Sequence, residues 1–133
     1  MILVDTSVWI DYFNGADSAQ TNSLDAALQE GTVAIGDLIL LEILQGFRND
    51  RDFRRARSTL ETLDIYGLLG HQMALYSAEN YRVLRKKGVT IRKTNDVVIA
   101  SYSIVNLIPL LYSDRDFMPF VNHLKLRAVD KDT

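Results

Sequence analysis

The stretch ILVDTSVWI, residues 2 to 10, places three apolar residues ahead of an acid and two hydroxyl side chains. Ile2, Leu3 and Val4 predict a short buried strand. Asp5, Thr6 and Ser7 can each satisfy free backbone N–H groups, so a helix is predicted over 6–13. Working outward, residues 107 to 111 (LIPLL) predict a second buried strand in which only Pro109 is awkward, with Asp114 just beyond it. If these two runs are neighbours in a parallel sheet, Asp5 and Asp114 converge at its carboxyl edge.

The chain between them alternates accordingly. Leucines and alanines at helical spacing over Ser18 to Gln29 end at Gly31, and Thr32 to Ile35 is a β-branched strand candidate. Gly36 and Asp37 open a helix on which Leu38, Leu41, Glu42 and Gln45 share a face by three- and four-residue spacing. A polar helix is predicted over 52–63, a short strand over 64–66, and a long amphipathic helix over 71–87, stopped by Gly88. Thr94 or Asn95 is expected to cap a helix over 96–106. A short helix follows Asp114, and 126–129 form a last edge strand. Strands alternating with helices predict an α/β fold with a central parallel sheet, right-handed crossovers and a ligand site at the carboxyl ends of its strands.

The 133 residues are predicted to form one domain, 1–133, long enough to bury roughly 70% of the unfolded surface. Hydrophobic residues at 47% and charged residues at 24% argue against disorder. No apolar stretch reaches the ~18 residues needed to span a bilayer, and Met1 leads directly into the first strand, so a cytoplasmic protein without membrane contact is expected. The lack of cysteine removes thiolate catalysis and sulfur-ligated zinc, and two histidines are too few for a histidine-rich metal site. A net charge of −2 does not announce a nucleic-acid binder. Its distribution says more: residues 48 to 57 carry five arginines against two aspartates, and residues 82 to 93 (RVLRKKGVTIRK) carry six basic groups and no acid. Either run is a solvated helix face or part of a positive rim around an acidic pocket.

Four acids stand out: Asp5, Glu42, Asp96 and Asp114. Taken singly, Asp5, Asp96 and Asp114 read as helix caps or first-turn acids, which are favourable there. Glu42 resists that reading, because it lies among Leu40, Leu41, Ile43 and Leu44, and buried carboxylates are rarely left unpaired. Together, with no evident internal lysine partner, the four favour a metal site. Hard oxygen ligands without His or Cys suit Mg²⁺ or Mn²⁺, usually completed by substrate phosphates, and that chemistry points to phosphodiester hydrolysis. Asp114 and Asp116, two residues apart, are not expected both to face the pocket; Asp114, nearer the strand end, is favoured. Trp9, Tyr12 and Phe13 read as core or dimer interface rather than a base-stacking platform.

ILVDTSVWI, Glu42 within LEILQGFR, GVTIRKTNDVVIA at 88–100 and LLYSDRDF at 110–117 together resemble the motifs of PIN-domain ribonucleases, above all the VapC-type toxins of bacterial toxin–antitoxin pairs. The motifs occur in order across nearly the whole chain. The resemblance implies a three-layer α/β fold, Mg²⁺ or Mn²⁺ dependence, RNA cleavage that inhibits translation, a homodimer, and neutralisation by a VapB-type antitoxin. By motif it implies Asp5, Glu42, Asp96 and Asp114 as the catalytic quartet, with Asp5, Asp96 and Asp114 on the metal. Thr6 or Ser7 would support the pocket by hydrogen bonding, and Asp116 would be a secondary acid or a cap. Arg82, Arg85, Lys86, Lys87, Arg92 and Lys93 are candidate RNA contacts. The chain departs from the family at Tyr112, where a small polar residue or His is usual.

Three other readings share some of these features. A receiver-type signalling domain needs an acidic pair after the first strand, where this chain has Asp5 alone, and gives Glu42 no role. A phosphatase of the Asp-x-Asp class fails because Ser7 holds the second acid's place. A catalytically silent module of PIN-like fold that binds a partner is the remaining alternative, against which the intact acids argue.

Overall fold

In the computed structural model, which describes residues 1–129, β1 (Ile2–Val4) lies between β2 (Val33–Gly36) and β4 (Leu110–Leu111). β3 (Asp64–Tyr66) flanks β2 on the far side, giving the order β3-β2-β1-β4 with every pairing parallel. The last four positions of the expected 1–133 unit lie outside the described residues. The chain moves outward from β1 through β2 to β3, then returns to place β4 against β1. The strand order therefore reverses between β1 and β4, where the crevice of an open α/β sheet opens. A receiver-type domain orders its strands differently, 2-1-3-4-5, so this sheet does not match that alternative.

The helices are α1 (Thr6–Phe13), α2 (Ala19–Glu30), α3 (Asp37–Gln45), α4 (Asp50–Leu60), α5 (His71–Lys86), α6 (Thr94–Asn106) and α7 (Met118–Leu124). α1 packs on α2 and α3, α3 on α4, and α5 on α6, and with the sheet between helices the fold has three layers. Leu3, Val4, Val8, Trp9, Ile35, Ile39, Ile43, Ile99, Leu110 and Phe117 are all buried in one core cluster. Each large aliphatic side chain so buried stabilises the fold by roughly 1.5–3 kcal/mol. Trp9 stacks on Phe13 and meets Tyr12 edge-on, and Phe13 contacts Phe47, so the aromatics of α1 pack among themselves and against the end of α3.

Local chemistry explains several boundaries. Ser18 and Thr21 form a reciprocal capping box at the start of α2, and Gly31 closes it in the left-handed conformation at φ 71. Asn49 accepts hydrogen bonds from the Arg51 and Asp52 backbone N–H groups, so α4 begins at Asp50, before the expected start, and ends at Leu60. At α6 the capping expectation is overturned: Lys93 holds the N-cap position without a side-chain cap, and Thr94 and Asn95 are already helical. β4 is shorter than expected. Leu107 closes α6 at φ 54, the Ile108 N–H still donates to Ser103, and Pro109 has no N–H to give, so pairing starts at Leu110. The expected edge strand over 126–129 reduces to one parallel bridge between Leu110 and Ala128, held by the Leu110 N–H to Arg127 O and the Val129 N–H to Leu110 O.

Gly36 and Asp37, expected to open α3, which carries Glu42, also fasten it to the loop after β3, a contact that the sequence did not disclose. A Cβ on Gly36 would lie 2.2 Å from Leu68 Cδ1, and Leu68 is fully buried, so only glycine lets the loop after β3 pack there. Asp37 accepts hydrogen bonds from the backbone N–H groups of Leu38 and Leu68 and ties the start of α3 to the same loop.

Candidate active site

The Asp5 N–H donates to Leu111 O at 2.9 Å, which fixes the ends of β1 and β4 side by side. Asp5 is the N-cap of α1, and its Oδ2 accepts hydrogen bonds from the Ser7 N–H at 3.2 Å and the Ser7 hydroxyl at 2.5 Å. Burial raises its pKa from the ordinary carboxylate value, against the pull of the Ser7 and Thr6 donors and with a smaller push from Glu42. Next along the chain, the Thr6 hydroxyl donates to Glu42 Oε1 at 2.8 Å and so links α1 to α3. Thr6 and Ser7 thus each hold one of the expected acids.

Asp96 is different. It is 5% exposed in the first turn of α6, and its Oδ2 is buried without a hydrogen-bond partner. Burial, reinforced by the charges of Asp5, Asp114 and Glu42 and offset in part by Lys93, pushes its pKa up to about 7. Oxygens of Asp96, Asp114 and Asp116 all lie within 4.8 Å of one another, a spacing that one cation can bridge. Asp5 and Glu42 are outside this close trio, although their charges reach Asp96.

The presence of both Asp114 and Asp116 in the trio corrects the expectation that they do not face the pocket together. Asp114 caps a 3-10 turn, Arg115–Phe117, accepting the Asp116 N–H at 2.9 Å, and this tight turn swings both carboxyls toward Asp96. Phe117, fully buried, anchors the turn. The Tyr112 hydroxyl, whose place in the family pattern is unusual, bonds Met118 Sδ at 3.1 Å, away from the acids.

Of the six cations expected near RNA, two reach the acids among the described residues. Lys93 Nζ lies 3.6 Å from Asp114 Oδ2, and Arg92 Nη2 lies 3.1 Å from Asp116 Oδ2. Arg82, Arg85 and Lys86 are exposed on the later turns of α5, and Lys87 is its C-cap. Arg82 and Arg85 line a cleft of about 470 Å³ with Leu38, Leu69, Tyr81 and Val97, and the cleft includes Asn95, beside Asp96. Arg85 sits over the Tyr81 ring at 5.5 Å.

An all-parallel sheet with carboxylates gathered at its switch point defines an α/β protein with an acidic cluster at the edge where such folds bind ligands. The PIN domain family matches residues 2–119, and the chain belongs to that family. It is 31% identical to a VapC ribonuclease of Mycobacterium bovis and equally to Ribonuclease VapC11 of Mycobacterium tuberculosis, over 96% of this chain and 97% of each relative. The fold is also that of VapBC2 from Rickettsia felis, solved bound to a DNA fragment from its promoter: TM-score 0.77 at 22% identity, covering 97% of this chain and 98% of that one.

Proposed function

We propose that this chain is a metal-dependent endoribonuclease, a single nuclease domain over 1–133 that serves as the toxin of a type II toxin–antitoxin pair. The observation that carries this reading is the buried Asp96 carboxylate, which has one oxygen without a partner and lies in a close trio with Asp114 and Asp116 at the sheet's switch point. A buried charge without a partner is costly and persists where something else neutralises it. Carboxylate oxygens without nitrogen or sulfur donors fit Mg²⁺, with Mn²⁺ as the other candidate.

Asp5, Asp96 and Asp114 are the proposed ligands, and Asp116 is close enough to assist. When bound, the cation supplies an activated water and offsets charge developing on the phosphate. The protein supplies the rest. Ser7 orients the Asp5 carboxylate, and Thr6 holds Glu42 Oε1 so that the other oxygen is left to accept a hydrogen bond from water. The cationic rim from α5 to Lys93 attracts the RNA backbone. The substrate is RNA, whose hydrolysis inhibits translation; a VapB-type antitoxin neutralises the toxin, which works as a homodimer in the cytoplasm. Among the described residues no helix is long and apolar enough to cross a membrane.

The test is incubation of purified, antitoxin-free protein with total RNA, with and without Mg²⁺ or Mn²⁺, followed by mapping of new ends. Metal-dependent cuts that chelation abolishes are expected. Cleavage that survives excess chelator, unchanged by Asp5→Asn and by Asp96→Asn, overturns the proposal.

A further inference from the structure

Two of the three clustered acids already hold a cation supplied by the chain itself. Arg92 Nη2 is 3.1 Å from Asp116 Oδ2 and Lys93 Nζ is 3.6 Å from Asp114 Oδ2, while Asp96, the buried third, has one oxygen without a partner. Arg92 and Lys93 are consecutive and sit directly before α6, the helix that carries Asp96. Both side chains are largely exposed, at 76% and 59%. Exposed ion pairs are weak and are readily exchanged for a stronger counter-charge.

We infer that Arg92 and Lys93 form a displaceable counterion pair: they neutralise Asp116 and Asp114 in the metal-free protein, yield those carboxylates to the divalent cation, and are then free to bind substrate phosphate. This inference rests on the metal-dependent ribonuclease reading and adds to it an order of events and a second role, as counterions of the metal-free site, for two cations of the rim. A divalent ion attracts the carboxylates more strongly than a tethered monovalent group at similar distance. Once released, neither side chain can leave the rim of the site, because both are anchored at the start of α6. A guanidinium and an ammonium placed there present donors suited to phosphate oxygens, the former in two-pronged fashion. The pair thus holds phosphate beside the bound cation and takes that cation's place on the carboxylates when it is absent.

This dual role predicts opposite signs for two binding measurements. In calorimetric titrations with Mn²⁺ alone, Arg92→Gln and Lys93→Gln should each tighten binding, by roughly 2- to 5-fold, because a competing charge is gone. Binding of a fully phosphorothioate single-stranded oligoribonucleotide of mixed sequence, in saturating Mn²⁺, should weaken in the same variants. Its salt dependence should become shallower, the slope of log affinity against log salt falling by about 0.7 per cation removed. Arg92→Lys and Lys93→Arg should retain both wild-type behaviours in large part, and thermal melts establish that each variant is folded. Metal affinity that is unchanged or weaker in the Gln variants overturns the counterion role, and RNA affinity that is unchanged overturns the hand-over to phosphate. If the wild type binds no Mn²⁺, the metal-site reading fails and the counterion pair with it; if it binds and cleaves while the variants behave as wild type, the counterion pair alone fails.

Discussion

The starts of α1 and α6 each carry a buried aspartate at the same sheet edge, yet the two are built on opposite principles. At α1, Asp5 caps the helix and accepts two hydrogen bonds from Ser7. At α6 no side chain caps the helix, and Asp96 in its first turn leaves one oxygen bare among other carboxylates. Asp5 is therefore tied into the fold as well as being a proposed ligand, whereas Asp96, with an oxygen that nothing satisfies, is costly to the fold. The contrast separates substitutions that damage structure from those that damage function alone.

The largest expected effect is common to both positions. Asp5→Asn and Asp96→Asn should each reduce metal-dependent cleavage by at least ~100-fold, because losing a ligand charge weakens the metal and the water it activates. Initial rates on a defined RNA, compared across metal concentrations, check this, and equal wild-type rates for either variant would remove that aspartate from the site.

Stability should then divide the pair. Asp5→Ala removes a helix cap and should cost about 0.5–2 kcal/mol, seen as a lower melting temperature. Asp96→Asn relieves repulsion from Asp5, Asp114 and Glu42 and should melt higher than wild type in metal-free buffer, while Mg²⁺ stabilises the wild type more than the variant. A clearly lower melting temperature for Asp96→Asn without metal would make Asp96 a structural anchor and erase the contrast.

Acidity sharpens the same point. Asp96 titrates near 3.8 when unfolded and at about 7 when folded. Between those values the folded protein keeps a proton that the unfolded chain has released, so stability of the metal-free protein should fall as pH rises from about 4 to about 7. Denaturant melts across that range should show the decline in wild type and a flatter profile in Asp96→Asn. A wild-type profile as flat as the variant's contradicts the assignment.

The smallest effect concerns the neighbours in the trio. Asp114→Ala should reduce turnover more than Asp116→Ala, because Asp114 both faces Asp96 and caps the turn that positions Asp116. Greater loss in Asp116→Ala reverses the ranking.

Much of this architecture was legible in residue order. Apolar runs ending at Asp5 and before Asp114 predicted two buried strands, and the parallel adjacency that would bring their acids together is found where β1 pairs with β4. The positions of α2, α3 and α5 followed from helical spacing and from glycine stops at Gly31 and Gly88. Legibility failed where contacts come from afar. The need for glycine at position 36 depends on Leu68, distant in sequence, while the shortened β4 is a boundary effect, Leu107 closing α6 instead of entering the strand.

By itself the sequence determined which acids are available and the alternation of apolar strands and helices that carries them to one edge, because burial of apolar faces and helix-start chemistry are local properties read residue by residue. The tertiary structure alone decided how those acids divide: Asp5 satisfied by Ser7, Glu42 held by Thr6, Asp96 left bare, and Asp114 and Asp116 drawn together with Arg92 and Lys93 against them. The physical reason is that the state of a carboxylate depends on its burial and on charges and donors a few ångströms away, and, beyond the local contacts of Ser7 with Asp5 and of Asp116 with Asp114, those neighbours come from segments that only folding brings together.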